Sequence, residues 1–153
     1  MHGFLEWLWS DYKDAVALRK SFIFKIVPML NPDGVIYGNY RWSLLGVDLN
    51  RRWAAPSKLL HPTIYYTKKT IKIMSETSNV ALYWDLHGHS CRRNAFMYGC
   101  INPKNEVDEY RKQWLAKLVP MLLSEANPYF SLSGSHFKIE KAKENTARIV
   151  VFK

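Results

Sequence analysis

Four residues have the types and surroundings to do chemistry: Arg41, Asn50, Arg51 and His87. An arginine beside an amide side chain, as in Asn50-Arg51, suits bidentate recognition of a carboxylate. Arg41, in the same stretch, can offer a second guanidinium to a carbonyl oxygen or a developing oxyanion. His87 stands between an acidic and a glycine-rich context, Asp85-Leu86-His87-Gly88-His89-Ser90, and is a candidate metal ligand. A single histidine is more commonly an ordinary core or surface residue, and catalytic zinc takes about three protein ligands. His89 is two residues on, so on an extended chain it faces the other way and need not share a metal with His87. Asp33 and Asp48 read as loop organisers, since aspartates in turns accept hydrogen bonds from the backbone just ahead of them.

The first three residues lie in one long stretch, Asn31 to Trp53, with turn signals at Asn31-Pro32-Asp33-Gly34 and Gly38-Asn39 and no helix or strand period. Its aromatics, Tyr37, Tyr40, Trp42 and Trp53, argue against disorder. Phe22 to Met29 reads as a buried strand leading into it, and Val80 to Leu86 as a second strand ending at His87. Residues 3–19 read as a helix with Leu5, Leu8, Trp9, Tyr12 and Val16 on one face, although Ser10 could cap a second short helix. Thr63 to Ser78 reads as a helix with Ile64, Ile71 and Met74 inward and Lys68, Lys69 and Lys72 outward. Phe96 to Cys100 reads as a short strand and Asn105 to Ala126 as a helix kinked at Pro120. Ser131 to Ser135 reads as a loop and Thr146 to Phe152 as a last strand. Strands alternating with helices define an α/β class, a mixed β-sheet flanked by helices. In such sheets ligands sit at the carboxyl ends of strands, which is where both functional stretches fall.

The 153 residues suffice for one domain. A net charge of +9 and a pI near 9.6 favour an acidic partner, although a solvated basic surface explains the charge equally well. Cys91 and Cys100 do not make a disulfide framework. No signal-peptide pattern is visible at the start, and no apolar run approaches the ~18 residues of a membrane span. The expectation is a cytoplasmic protein with reduced thiols and no membrane association.

The motifs NPDG, GNYR, GVDLNR, DLHGHS and FMYGC, in that order, resemble the cytosolic carboxypeptidases, the tubulin-deglutamylating branch of the zinc metallocarboxypeptidases. The resemblance covers nearly the whole chain. It implies that His87 is the third zinc ligand and that Arg41 polarises the scissile carbonyl. It assigns the substrate's terminal carboxylate to Asn50 and Arg51, and a structural role to Asp33 and Gly34. The chemistry it implies is hydrolysis of a C-terminal peptide or isopeptide bond, with zinc activating a water and a glutamate accepting its proton.

Departures bear on that expectation. The family's HPGE motif, which supplies the first two zinc ligands, is absent. His2-Gly3 and His61-Pro62 do not replace it, and Glu140 and Glu144 do not match the catalytic glutamate. Arg52 and Cys91 are smaller changes. The chain therefore carries one of the family's zinc ligands and lacks its general base, which reads as a partial catalytic domain, truncated at both ends and inactive in isolation. The leading expectation is a zinc carboxypeptidase segment acting on acidic, glutamate-rich tails such as tubulin's. The alternative is a non-catalytic binder of such tails that keeps the Asn50-Arg51 grip. Nucleic-acid binding rests on charge and aromatics alone, and those aromatics fall mostly on apolar faces.

Overall fold

A computed structural model describes residues 1–101 and 107–152. Six α-helices are present among them: α1 (His2–Trp9), α2 (Lys13–Ser21), α3 (Pro32–Tyr37), α4 (Pro62–Thr77), α5 (Val107–Ala126) and α6 (Ala147–Phe152). Two strands, β1 (Tyr98–Ile101) and β2 (His136–Lys138), and two 3-10 turns, Leu49–Arg51 and Lys141–Lys143, complete the set. The strands pair in parallel, Tyr98 opposite His136 and Ile101 opposite Lys138. Helix α5 makes the crossover that a parallel pair requires. The α/β class holds, with a small parallel sheet.

The single helix expected over 3–19 is two helices. Ser10 ends α1 by donating its hydroxyl to Trp7 O at 2.6 Å. Arg19 on α2 then reaches back to the carbonyls of Leu8 and Ser10, which α1 leaves without intrahelical partners. Leu8 and Ala15 are buried at this corner, whereas Trp9 and Tyr12 are exposed, so the expected apolar face is only partly used.

Three expected strands are not strands. Phe22 to Met29 and Val80 to Leu86 form no ladder among the described residues, and Ile23, Val27, Leu82 and Trp84 are exposed. Apolar, β-branched sequence favours an extended chain, but a strand exists only when a neighbour takes up its backbone hydrogen bonds. Thr146 to Phe152 contains helix α6 instead. A short apolar run does not discriminate a buried helix from a strand, and here Val150 N donates to Thr146 O at 3.0 Å while Ala147 and Ile149 are fully buried.

Helix α4 lies close to its expected span, with Ile64 buried and Ile71 packed against the core. Lys69 and Lys72 are exposed as expected. Lys68 is not directed outward: its Nζ donates to Trp53 O at 2.8 Å and Ala54 O at 2.7 Å. Helix α5 contains Pro120, and Trp114, Leu118 and Leu122 on its apolar face are exposed. The start expected at Asn105 lies outside the described residues. Strand β1 falls two residues later at its start than expected, and 131–135 is irregular as expected.

The core that matters for the site consists of Leu49, Trp53, Ile64 and Ala147. Leu30, Val47, Ile71, Tyr83, Val150 and Val151 pack around it. It joins the long loop, α4 and α6, elements far apart in sequence. No described helix is long and apolar enough to cross a membrane.

Candidate functional site

The long loop is more ordered than its sequence suggests. Asn31 caps α3, its side chain accepting from Gly34 N at 3.2 Å, and Pro32 takes the first helical position, where its missing N–H costs nothing. The same Asn31 donates through Nδ2 to Trp42 O at 3.2 Å. A Cβ on Gly34 would stand 2.6 Å from Trp42 O, so glycine is needed for this close approach. Gly38 ends the helix in the left-handed region at φ 72°. The chain then turns tightly, with Ser43 N donating to Val47 O at 3.0 Å and Gly46 N to Ser43 O at 2.9 Å. Trp42 and Asp48 face each other in an antiparallel bridge. That bridge sets Arg41 beside the 3-10 turn that carries Asn50 and Arg51.

Asp48 is the centre of this group. Its Oδ2 lies 3.0 Å from an Arg41 guanidinium nitrogen and 3.8 Å from one of Arg51. Its Oδ1 accepts from Asn50 N at 2.9 Å, the Asx geometry expected of an organiser. It also draws the Arg41 and Arg51 guanidiniums together, which the sequence reading missed. The Asp48 side chain is 14% exposed, against 51% for Arg41 and 35% for Arg51, so the arginines are open to a ligand above a mostly buried counter-charge. Asn50 Oδ1 accepts from Ala147 N at 3.0 Å. Trp53 N donates to Asn145 O at 3.3 Å, so the turn is tied to the start of α6 at two points.

His87 follows the ladderless segment. Its Nδ1 is 3.3 Å from Asp85 Oδ1. That hydrogen bond raises the His87 pKa from its ordinary value. Burial opposes the shift, the Asp85 charge adds to it, and Arg41 lowers and Asp48 raises it further. The Arg41–Asp48 pair therefore lies within electrostatic reach of His87. Tyr83, packed edge-on to Trp53 at 6.4 Å between ring centroids, has its phenol pKa pushed up by burial and then by Asp85. His89 is engaged elsewhere: its Nδ1 accepts from the amides of Cys91 and Arg92, both at 3.2 Å. Among the described residues no group of three His, Cys, Asp or Glu side chains is arranged to hold a metal. His87 with one carboxylate on its own ring does not make the donor set that catalytic zinc requires.

The loop, with its two arginines converging on one carboxylate and a histidine within reach, can be set against known proteins. The Zinc carboxypeptidase family profile matches residues 2–144. This chain belongs to the zinc carboxypeptidases. Cytosolic carboxypeptidase 1 of Xenopus laevis is 48% identical over 162 residues, and cytosolic carboxypeptidase 2 of Mus musculus is 47% identical over 155. Each match takes in 100% of this chain but 13% and 17% of those relatives, so the chain spans less than a fifth of their length. Among solved zinc carboxypeptidase folds, a putative carboxypeptidase A from Shewanella denitrificans superposes with a TM-score of 0.80 at 32% identity. A metallo-carboxypeptidase from Burkholderia cenocepacia gives 0.73 at 25%. Both cover 97% of this chain and 39% of their own. A zinc carboxypeptidase implies zinc as cofactor, and the residues described here provide one candidate ligand for it.

Proposed function

We propose that this chain is the substrate-reading part of a zinc carboxypeptidase catalytic domain that removes acidic residues, glutamate first among them, from the C-termini of cytoplasmic protein tails such as tubulin's. In this reading Arg51 and Asn50 hold the terminal carboxylate, and Arg41 faces the carbonyl to be cut and its oxyanion. His87 would supply one ligand to the family's zinc, which when bound would activate a water. The observation that carries the reading is the convergence of Arg41 and Arg51 on the Asp48 carboxylate. Two partly exposed guanidiniums already drawn toward one oxygen, Asp48 Oδ2, are placed to meet a second carboxylate arriving from solvent. The net charge of +9 favours encounter with an acidic tail.

Calorimetric titration with a peptide ending in glutamate tests this. Arg51→Ala is expected to weaken binding of the free-carboxylate peptide by about tenfold or more, the usual size of a lost charged hydrogen bond. Unchanged affinity would refute the assignment.

The single-histidine donor set favours a second reading: a binder that keeps the grip without cutting. Zinc content and glutamate release from the same peptide decide between the two. Stoichiometric zinc together with released glutamate excludes the binder, and tail binding with neither excludes hydrolysis by this chain.

A further inference from the structure

A carboxamide can meet a carboxylate in one orientation only. Its Nδ2 group donates, whereas its Oδ1 repels. Rotation by half a turn exchanges the two, so an asparagine that reads a carboxylate needs something to hold it the right way round. Asn50 has such a partner. Its Oδ1 accepts from the backbone N–H of Ala147 at 3.0 Å, and a backbone N–H can only donate. Ala147 is the first residue of α6 and is 1% exposed. Its amide is one of the helix-start donors that no carbonyl within the helix can take up. The backbone of Asn50 is held as well, through the bond from its N–H to Asp48 Oδ1 at 2.9 Å. Ala147 itself is fixed by packing with Leu49, Trp53 and Ile64, and its neighbour Asn145 accepts from Trp53 N.

We infer that the start of α6 is a positioning element for terminal-carboxylate recognition: the Ala147 amide holds Asn50 Oδ1 so that Asn50 Nδ2 is presented to the substrate. The inference rests on the reading of Asn50 and Arg51 as the carboxylate grip. Arg51 supplies charge, which any anion satisfies. Asn50, held in one orientation, supplies a donor of fixed direction. Fixing the carboxamide before the ligand arrives removes an ordering cost from binding. The segment 145–147 thereby sets discrimination between a free carboxylate and a C-terminal amide, although its backbone supplies no contact to the ligand.

The test compares two peptides that end in glutamate, one with a free carboxylate and one amidated, titrated against the full chain. Ala147→Pro deletes the N–H, and proline is well suited to a first helical position. The variant is expected to reduce the carboxylate-over-amide preference by about tenfold, the scale of one charge-assisted hydrogen bond, and to lower the thermal midpoint, because the ring enters a buried site and Asn50 Oδ1 loses its donor. Ala147→Ser, which retains the N–H, is expected to keep the preference. A folded Ala147→Pro chain with full preference overturns the inference and leaves the grip intact. A parent chain with no preference overturns the grip and the inference with it. Should the proline variant not fold, NMR on the parent chain decides. Added free-carboxylate peptide is expected to shift the Asn50 Nδ2 protons downfield and leave the Ala147 amide bonded to Oδ1. Unmoved Nδ2 protons, or an Ala147 amide released by the peptide, overturn the inference.

Discussion

The stretch from Arg41 to Trp53 and the stretch from Tyr83 to Arg93 both carry proposed functional side chains, and they are built in opposite ways. The first is tied to distant parts of the chain: Asn50 to Ala147, Trp53 to Asn145, and the carbonyls of Trp53 and Ala54 to Lys68. Its apolar residues Leu49 and Trp53 are buried. The second is tied mostly to itself. His87 meets Asp85, and His89 meets the amides of Cys91 and Arg92, all within a few residues. Its distant ties are Arg92 to Gly134 O at 2.7 Å and ring packing of Tyr83 on Trp53 and of Trp84 near Phe4, and Trp84 and Leu86 are exposed. The turn that carries Asn50 and Arg51 is thus held by long-range contacts, while the candidate metal ligand is oriented by a local carboxylate.

The largest test of that contrast is truncation of the aromatic in each stretch. Trp53→Ala is expected to cost about 3–5 kcal/mol, as for other fully buried large aromatics. Trp84→Ala is expected to cost no more than about 1 kcal/mol, since the residue is nearly half exposed and its ring packs near Phe4. Chemical denaturation of both variants checks this, and equal losses would erase the distinction. A smaller effect is expected from Asp48→Ala, which removes the acceptor shared by Arg41, Arg51 and the Asn50 amide. About 1–2 kcal/mol is expected, because the carboxylate is mostly buried but its arginine partners are hydrated. A denaturation midpoint unchanged from the parent would mean that the loop is held by its apolar contacts alone.

The smallest effect concerns His87. Its pKa is raised from the ordinary value of 6.5, first by the hydrogen bond to Asp85. A raised folded-state value stabilises the protonated form. The contribution to stability is therefore fully present below about 6.5 and is lost as pH rises through the folded value. NMR titration is expected to place the His87 midpoint above that of an unperturbed histidine, and Asp85→Asn is expected to bring it down. A midpoint that does not respond to Asp85→Asn would remove the carboxylate as the orienting partner.

The motifs around Arg41, Asn50, Arg51 and His87 were readable because each depends on residue types close together in sequence. The Asx role of Asp48 was readable for the same reason: the acceptor and the Asn50 amide are two positions apart. Its second role, drawing Arg41 to Arg51, was not, since it depends on the bridge between Trp42 and Asp48. The α/β class and helices α4 and α5 followed from apolar periodicity. The strands expected at 22–29 and 80–86 did not form because composition specifies an extended chain and not the neighbour that must pair with it. Lys68 was misread because a helix face shows where a side chain starts and not which carbonyl it reaches. Nothing local marks Ala147, an alanine at the start of a short apolar run, as a partner of Asn50.

The bond between Asn50 and Ala147 closes a loop of 97 residues, which gives it a place in time as well as in space. Loop closure over that length carries a chain-length entropy term of about 4 kcal/mol, and contacts of such separation form slowly. During synthesis Ala147 leaves the ribosome long after Asn50, so this bond forms only once the 97 residues that separate the two have been made. Partially synthesised or proteolytically shortened forms that lack α6 retain Arg41 and Arg51 but lose the clasp on Asn50, and are expected to bind anions with little regard for their shape.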